Sequence, residues 1–303
     1  MIQTFENVFV NYESLMFRRG RILPESFVLP DHFSAQHYRR PSRYAWFLAK
    51  NYVLRRGYAD QPAGLWVVDN YTADNYYHWM LEALPRLLHA EQDGVRENTV
   101  MFPRYFRRNA YIEFTLGAFP WLRHVRWLGT HTKTRVGRLT FVPRQTAERL
   151  TSQIHEVSRR VRELSGAAGS DRRIYFTREG AARRRLQNEA EVVRLVRDHG
   201  FVVFQLDPSR PWEQVQAAAG AELILGVHGA QLTNVMFMPS GGRLIELRHP
   251  DDEHFFEIYG PFAKSLGHRY TRVDCEPACA TTGESLNHAD LIVDLDLLRE
   301  ALR

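Results

Sequence analysis

The chain has 303 residues, of which 44% are hydrophobic and 25% charged, a composition that excludes a disordered or fibrous protein and provides for one or two cores. Its net charge of +5 is unequally divided, because residues 1 to 165 carry +9 and residues 166 to 303 carry −4. Only three of the 40 cationic side chains are lysine, so most positive charge lies on guanidinium groups, which can hold carboxylates and phosphates with paired hydrogen bonds.

The first half of the chain predicts few regular elements. Prolines interrupt residues 1 to 70, so short apolar segments such as SFVLP and LWVVD predict strands and turns rather than helices. Apolar residues at three-to-four-residue spacing then predict an amphipathic helix over 72 to 90, capped near Asp74 and kinked at Pro85. A second helix is predicted over 151 to 164, with one apolar stripe formed by Ile154, Val157, Val161 and Leu164.

The segment SGAAGS at 165 to 170 is typical of an interdomain linker, so we place two domains at 1–165 and 166–303. After it, apolar strands and helices alternate in the order RIYFT, helix 188–199, FVVFQL, helix 212–219, LILGV, a short helix after Gly229, and RLIEL. Short connections between such strands predict right-handed βαβ units, a parallel sheet covered on both faces, and an α/β fold. A helix around 255 to 266, a strand near HRYTRVD, the segment LIVD and a terminal helix follow.

The clearest candidate site is the segment GVHGAQLTN, residues 226 to 234. Ligands of a parallel sheet bind beyond the carboxyl ends of its strands. A buried strand ends here, glycines allow close backbone approach, and the next helix begins with free amide groups that attract phosphate. His228 adds a donor, and Thr233 and Asn234 lie in the first helical turns. The alternative is an ordinary strand-to-helix turn with a satisfied histidine.

Two more polar groups follow strands of the same sheet. Arg178 comes directly after RIYFT, and three arginines at 183 to 185 precede Asn188, the predicted cap of the next helix. These guanidinium groups can neutralise a diphosphate leaving group, or they can be solvated loop charges. Glu246, at the end of RLIEL, can accept hydrogen bonds from a ribose diol or pair with an arginine.

A possible general base lies in the first half. His78 and Glu82 are four residues apart and so share one face of the predicted helix. His78 can take a proton from an acceptor hydroxyl while Glu82 orients it, or Glu82 can be the base itself. The alternative is a surface pair worth about 0.2–0.5 kcal/mol.

Several common catalytic motifs are absent from the sequence. There is no GxGxxG after a strand, GxxxxGK[ST] loop, HExxH or paired CxxC, so the marks of dinucleotide oxidoreductases, P-loop enzymes and zinc hydrolases are missing. The single D-x-D begins at Asp294 and opens the last helix, where we expect a helix cap rather than a metal ligand. Cys275 and Cys279 are too few for a disulfide framework or a zinc site. We therefore predict neither a metal nor a cofactor.

The amino terminus and the apolar segments carry no targeting signal. No basic segment precedes the first apolar residues, and no apolar run reaches the roughly 20 residues of a membrane span. We expect a cytoplasmic, bacterial protein.

The motifs together, in their order, resemble glycosyltransferase family 61 over residues 66 to 250. They are NYYHWMLEALPRL, then R-x5-R-x3-NE beginning at Arg178, then Gln214, HGAQLTN and PSGGRLIEL. The resemblance implies a GT-B architecture of two Rossmann-like domains facing across a cleft, with the acceptor on 1–165 and the nucleotide sugar mainly on 166–303. It also implies inverting, metal-independent transfer from a nucleoside diphosphate sugar, for which we expect uridine diphosphate on family grounds. We expect no secretory-pathway anchor, and in this the chain is similar to bacterial members tied to capsule or other surface polysaccharides.

The resemblance also implies which residues form each subsite. The implied donor pocket consists of Arg178, Arg184, Asn188, Glu189, His228, Gly229, Ala230, Thr233, Asn234 and Glu246. Arg178 and the turn at 228 to 230 would hold the diphosphate, and Glu246 would face the ribose. His78 and Glu82 match the motif that faces the acceptor, and the resemblance leaves open which is the base. Gln231 departs from the family pattern, in which glycine is common after HGA.

Other functions and partners remain open. A nucleotide-sugar-binding module without transfer activity would keep the HGA turn, although His78 and Glu82 argue against it. A nucleic-acid-binding protein would use Arg104, Arg107 and Arg108, but no nucleic-acid motif accompanies them. The positive charge of residues 1 to 165 fits an anionic glycan or a lipid-linked acceptor at the inner membrane face. The donor sugar, the linkage and the oligomeric state are not encoded in any recognisable pattern.

Overall fold

A computed structural model describes residues 1–29, 31–54, 57–72, 75–167, 172–250, 257–278 and 288–303. The chain divides into two units, Met1–Val157 and Ser158–Arg303. The functional assignment of the two halves and their predicted boundary at residue 165 stay predictions.

The first unit is built on a seven-stranded mixed sheet in the order β3-β2-β1-β7-β4-β5-β6. Its strands are β1 (Gln3–Val10), β2 (Met16–Arg18), β3 (Arg21–Ile22), β4 (Tyr58–Trp66), β5 (Thr99–Pro103), β6 (His124–Leu128) and β7 (Lys133–Phe141). Strands β4 to β7 pair in parallel, whereas β1 runs antiparallel to β7 and β2.

The first helices of this unit lie in a segment for which the sequence pattern indicated strands and turns. They are α1 (Phe33–Arg39), α2 (Pro41–Leu48), α3 (Tyr76–His78), α4 (Leu84–Gln92) and α5 (Ala110–Leu116), with π-helical turns at Ala49–Leu54 and Trp79–Ala83 and 3-10 turns at Pro24–Ser26 and Arg104–Arg108. Helix α6 (Ala147–Ser165) begins in this unit and ends in the second. The prediction of strands and turns over residues 1 to 70 was therefore wrong for 33 to 54. His32 caps α1 by accepting the Ser34 N–H, and Pro41 stands in the first turn of α2, where its missing N–H costs nothing.

The helix predicted over 72 to 90 is confirmed, with two differences. Asn75 caps it by accepting the Tyr77 N–H, whereas Asp74 lies outside the described residues. The predicted kink at Pro85 takes the form of the π turn at Trp79–Ala83, in which the Leu84 N–H bonds to the Trp79 carbonyl. A wider turn relieves the clash that a proline ring makes with the carbonyl four residues earlier.

Helix α6 confirms the helix predicted over 151 to 164 and begins four residues before it. Ile154, Val157 and Val161 are buried, but Leu164 is 40% exposed, so the apolar stripe ends one turn earlier than predicted.

The second unit confirms the predicted α/β fold with a parallel sheet, in the order β12-β11-β10-β8-β9. Its strands are β8 (Arg172–Phe176), β9 (Phe201–Phe204), β10 (Ala221–Val227), β11 (Arg243–Arg248) and β12 (Arg269–Asp274), and a separate antiparallel pair is formed by β13 (Glu276–Pro277) and β14 (Leu291–Ile292). Its helices are α7 (Glu189–Asp198), α8 (Pro211–Ala219), a 3-10 helix (Ala230–Phe237), α9 (Tyr259–Ser265) and α10 (Leu295–Ala301).

The start of the last helix in this unit follows its sequence signal, whereas the start of the helix before it does not. Asp294 caps α10 by accepting the N–H groups of Asp296 and Leu297, as predicted for the single D-x-D. The helix predicted around 255 to 266 is found over Tyr259–Ser265. It begins later than predicted, because residues 257 and 258 are not helical, and residues 251 to 256 lie outside the described residues. No helix in the described ranges is both long enough and apolar enough to cross a membrane.

Candidate functional site

The register of the parallel sheet places the polar groups after β8, β10 and β11 at one edge. Gly226 of β10 pairs with Phe176 of β8 on one side and with Glu246 of β11 on the other. The residues that follow these positions therefore lie together at the carboxyl edge of the second unit, which we call the donor edge. It contains Arg178, His228 and Glu246.

Arg178 is held against the turn that begins at Gly229. Its Nη2 donates to the Arg183 carbonyl at 2.7 Å, and a Cβ added at Gly229 would lie 2.7 Å from its Nη1. A larger residue here would push the guanidinium away, so glycine allows this close approach. Within the described residues, its Nε has no hydrogen-bond partner. Burial, followed by the nearby charge of Arg184, lowers the pKa of Arg178 to about 10, so an anion bound here would relieve an unfavourable positive charge.

Glu189 fixes the turn that carries Arg178. Its Oε1 accepts the Tyr175 hydroxyl at 2.9 Å, the Thr177 hydroxyl at 2.5 Å and the Arg178 N–H at 3.1 Å. Burial and the charge of Glu189 raise the pKa of Tyr175 well above its usual value, which keeps that phenol a hydrogen-bond donor. Glu189 thus acts on the position of Arg178 rather than offering its Oε1 to a ligand.

The three consecutive arginines differ in what they contact. Arg183 Nη1 lies 2.7 Å from His288 Nε2, and Arg185 holds both Asp290 Oδ2, at 3.1 and 2.8 Å, and Asp290 Oδ1 through its backbone N–H. Arg184 has a left-handed backbone, with φ of 54°, and its charge acts on Arg178. A non-glycine residue in this conformation costs of the order of 1 kcal/mol, and such strained backbone conformations are common at functional sites.

Asn188 occupies the cap position of α7 but makes no capping hydrogen bond, so the prediction of a side-chain cap was wrong. Its Nδ2 donates to the Val293 carbonyl at 2.8 Å, and its Oδ1 accepts the Val293 N–H at 3.0 Å. The side chain therefore ties the start of α7 to the segment after β14.

Glu246 contacts protein groups where a ribose was expected. It is fully buried, with Oε1 2.5 Å from His228 Nδ1 and Oε2 accepting the Tyr270 hydroxyl at 2.6 Å. Burial and the charge of Glu246 raise the pKa of Tyr270, which therefore stays protonated. A histidine held through Nδ1 presents Nε2 to whatever lies beyond it. Glu246 thus has the geometry of a residue that orients His228.

The turn after β10 leaves backbone donors at the donor edge. The His228 N–H bonds to the Leu247 carbonyl at 2.8 Å, and the Leu232 N–H closes the first 3-10 turn onto Gly229 at 2.9 Å. The N–H groups of Gly229, Ala230 and Gln231 precede the first intrahelical bond, where helix termini bind anions.

Thr233 and Asn234 are fully buried below this turn. Asn234 Nδ2 donates to Gln214 Oε1 at 3.0 Å and to the Gln231 carbonyl at 2.9 Å. Gln231 itself is 8% exposed, with Nε2 3.4 Å from the Phe176 carbonyl. These side chains stabilise the turn from inside, and their role as direct ligand contacts stays a prediction.

In the first unit, His78 and Glu82 lie side by side, with 2.9 Å between His78 Nδ1 and Glu82 Oε1. The distance is that of an ion pair, but the alignment is not that of a hydrogen bond, so Nδ1 has no hydrogen-bond partner among the described residues. Glu82 Oε1 also lies 2.5 Å from Arg144 Nη1. Both side chains are 16% exposed. This arrangement holds Glu82 Oε1 between His78 and Arg144.

A buried charge network that the sequence reasoning missed supports this pair. Arg144 holds Asp69 through Nε at 2.8 Å and Nη2 at 3.1 Å, and Arg86 Nη1 reaches Asp69 at 3.1 Å. Asp69 also accepts the backbone N–H groups of Tyr71 and Thr72, on the segment before His78. Two sequence features could have indicated this network. Asp69 directly follows the apolar segment LWVV, and Arg86 lies within an apolar helix.

The electrostatics of this network favour the charged forms. Burial would raise the pKa of Asp69, but Arg86 and Arg144 hold it well below its usual range. Burial lowers the pKa of Arg86 to about 10, which leaves it cationic at neutral pH. Asp69 and Arg86 are 2% and 1% exposed, so each depends on the other for compensation.

We expect Arg86→Met to destabilise the first unit by about 3 kcal/mol, because it leaves a buried carboxylate with one guanidinium instead of two. Urea denaturation measures this, and Arg135→Met, which breaks an exposed pair with Asp60, is the control expected to cost much less, because solvent screens an exposed ion pair. Folding lowers the pKa of Asp69, so the stabilisation is present above the ordinary carboxyl pKa of about 3.9 and is lost as the pH falls below it. Equal losses in both variants at pH 7 would contradict this account.

A cluster of aromatic rings begins beside His78. Tyr71 lies edge-on to it, with ring centroids 4.6 Å apart, and His32 is 4.6 Å from the other side of Tyr71. Phe33, 5.4 Å from Tyr71, is 64% exposed. Burial and the charge of Arg144 lower the pKa of His32, which favours its neutral form. An exposed aromatic ring near a histidine is the kind of surface on which a sugar ring can pack.

The arginines proposed for nucleic-acid binding partly contact their own neighbours. Arg107 pairs with Glu113 at 3.2 Å, and its guanidinium lies 5.8 Å from the Trp127 ring centroid. Arg108 lies over Tyr105 at 5.7 Å. These contacts reduce the charge available to a phosphate backbone.

Cys275, the cysteine that the structure describes, is not placed to react as a thiolate. Cys275 is buried, and burial raises the pKa of its thiol to about 12, whereas Cys279 lies outside the described residues. In the described ranges there is no group of three or more histidine, cysteine, aspartate and glutamate side chains that could hold a metal ion. Metal independence stays a prediction.

Comparison with known proteins gives a family match. A family model described as Glycosyltransferase 61 matches residues 76–245, which is more than half of the chain. The matched segment begins two residues before His78, contains Arg178 and the turn at 228 to 230, and ends one residue before Glu246. No curated protein matches the chain.

Proposed function

Because the chain belongs to glycosyltransferase family 61 and is a glycosyltransferase, we propose that it transfers a sugar from a nucleoside diphosphate sugar to a hydroxyl of a glycan acceptor, with inversion and without a metal. We further propose the GT-B arrangement, with the donor on the second unit and the acceptor on the first. The proposal rests mainly on Arg178. Its side chain is half-buried and lies against the HGA turn, and its pKa is lowered.

The donor edge supplies several groups suited to a diphosphate. Arg178, His228 Nε2 and the N–H groups of Gly229 to Gln231 are donors that would stabilise negative charge on the leaving oxygens. In this proposal Arg184 adds positive charge beside Arg178, Glu189 positions Arg178, and Glu246 positions His228. Uridine diphosphate remains the nucleotide expected on family grounds.

The reaction is a single displacement. His78 Nε2 takes the proton from the acceptor hydroxyl, and that oxygen attacks the anomeric carbon from the face opposite the nucleotide. The bond between the anomeric carbon and the diphosphate oxygen breaks, and the leaving group departs with the electron pair, stabilised by the donor edge. Glu82, held by Arg144, would orient the imidazole and stabilise its protonated form. The product carries the inverted anomeric configuration.

Two observations support transfer without a metal. The first carboxylate of the single D-x-D, Asp294, is engaged in capping α10. The positive charge that a metal would provide is available from Arg178 and Arg184.

A release assay tests the proposed function. The wild-type chain is screened with nucleoside diphosphate sugars, with and without glycan and lipid-linked acceptors, and the freed nucleoside diphosphate is measured. We expect release that depends on both a donor and an acceptor. Nucleotide binding without release from any pair would instead indicate a nucleotide-sugar-binding module.

The surface of α2 and the following π turn fits a peripheral position at a membrane, in keeping with a cytoplasmic enzyme of capsule or surface polysaccharide synthesis acting on a lipid-linked acceptor. Trp46, Val53 and Leu54 are 55%, 55% and 66% exposed, and their spacing of seven and eight residues places them on one helical face. Phe47 and Asn51 of the same segment are buried. Exposed arginines at 39, 40 and 43 flank this apolar face. Apolar residues bordered by arginines are typical of helices that lie on anionic lipid.

We expect Leu54→Glu to reduce co-sedimentation with vesicles rich in phosphatidylglycerol about tenfold or more, because it places a negative charge in the lipid-facing surface. Leu297→Glu on α10 is the matched control, since Leu297 is 48% exposed, and should bind as wild type does. If wild type and both variants bind equally, or if wild type does not bind, the proposed contact with the membrane is wrong.

A further inference from the structure

A row of arginines crosses the amino-terminal edge of the second sheet, opposite the donor edge. Leu223 of β10 pairs with Arg173 of β8 and with Arg243 of β11, and Arg243 pairs with Arg269 of β12. Paired residues of neighbouring parallel strands project from the same face of a sheet. Three guanidinium groups therefore leave one face at the start of three strands.

These side chains line a cavity of about 330 Å³. The turn from Pro239 to Gly242, which precedes β11, forms another wall, and Glu222 and Arg303 also line it. Gly241 has φ of 84°, and no atom lies within 4 Å of a Cβ built on it, so the turn leaves open space. The volume lies at the lower end of ligand pockets, roughly 300–1,000 Å³.

The charges of this cavity are incompletely compensated. Glu222 Oε1 holds Arg173 Nε at 3.1 Å, which accounts for one cation. Arg243 bonds to the neutral Thr271 hydroxyl, through Nε at 3.2 Å and Nη2 at 3.0 Å. Arg269 is exposed and has no ion-pair or side-chain hydrogen-bond partner within the described part of the chain.

Arg243 and Arg269 stand directly opposite each other on neighbouring strands, an arrangement that is destabilising for like charges. Burial and the charge of Arg269 lower the pKa of Arg243, in keeping with this geometry. A bound anion between the two guanidinium groups would convert the repulsion into two charge-assisted interactions.

We propose that this cavity is a second anion site, which binds a phosphate or diphosphate group between Arg243 and Arg269, at the edge of the sheet opposite the donor edge. The shared chemistry is a compact phosphate group, whether free in solution or carried by a lipid headgroup. The site does not depend on the proposed transfer reaction, because none of its residues belongs to the donor edge.

The test uses the full chain in an Arg178→Ala background, which weakens anion binding at the donor edge. Inorganic phosphate and diphosphate are titrated by calorimetry at constant ionic strength maintained with chloride. We expect saturable binding in this background and a loss of at least tenfold in affinity when Arg269→Ala is added. Arg194→Ala, which removes an exposed arginine from α7, is the matched control and should leave the affinity unchanged.

Three results would overturn the proposal. They are the absence of saturable binding in the Arg178→Ala background, affinity that Arg269→Ala leaves intact, and affinity that Arg194→Ala lowers equally. A second arm separates the sources, since vesicles containing phosphatidic acid should compete with free phosphate if the site accepts lipid headgroups and should not compete if it takes soluble anions only. Thermal unfolding of each variant without phosphate verifies that it is folded.

Discussion

Arg178→Ala is expected to lower turnover by a factor of about 100 or more, because it removes a preorganised donor from the departing diphosphate. The free energy of unfolding should change little, since the guanidinium carries a lowered pKa and has no ion-pair partner among the residues that the structure describes. Steady-state release of nucleoside diphosphate measures the effect, and urea denaturation verifies the fold.

The matched control for this prediction is Arg185→Ala. It removes the same charge from the same loop, but Arg185 is engaged with Asp290 and its side chain is 59% exposed. Turnover in this variant should remain close to wild type. Near-normal turnover in Arg178→Ala, or an equal loss in Arg185→Ala, would show that Arg178 does not stabilise the departing diphosphate.

Gly229→Ala tests the same contact from the other side. The added Cβ would lie 2.7 Å from Arg178 Nη1, and because that atom ends a flexible side chain, the guanidinium can move away without unfolding the turn. We expect donor affinity and turnover to fall while stability is retained.

The second large effect is expected from His78→Gln, which should reduce kcat by a factor of about 10²–10⁴ because it removes the general base. The dissociation constant for the nucleotide, measured by calorimetry, should stay unchanged. Glu82→Gln should reduce kcat less, because the imidazole remains and loses only the carboxylate beside Nδ1. This order of effects separates a histidine base from a glutamate base.

His89→Gln is the matched control for His78. His89 lies further along the same helical segment, is 5% exposed and faces Asp93 at 3.7 Å, so it has a similar partner without a position beside Glu82. A larger loss in Glu82→Gln than in His78→Gln would make Glu82 the base. Wild-type rates in both variants would show that the acceptor site lies elsewhere.

The second unit was largely predictable, because strands buried on both faces are written as continuous apolar segments and their helices begin at recognisable signals. LILGV became β10, and Asp294 capped α10. The residues gathered at the donor edge followed from the rule that the ends of parallel strands meet. The sequence did not show that Glu246 contacts Tyr270, since strand order and register decide which side chains meet across neighbouring strands.

The first unit was less predictable, because its helices begin at residues that usually do not mark the start of a helix. Pro41 read as an interruption but starts a helix, and His32 acts as a cap although histidine is an uncommon one. The network that supports Glu82 joins Asp69 to Arg144, 75 residues later. No spacing rule links such distant positions, so only the folded chain shows them together.

The anomeric configuration of the first product distinguishes a single displacement from transfer through a covalent intermediate. Proton NMR can follow transfer from a donor identified in the release screen to its acceptor, in the presence of a metal chelator. We expect a glycosidic bond of the opposite anomeric configuration to the donor, formed at an undiminished rate. Retention of the donor configuration, or loss of transfer upon chelation, would contradict a single metal-free displacement.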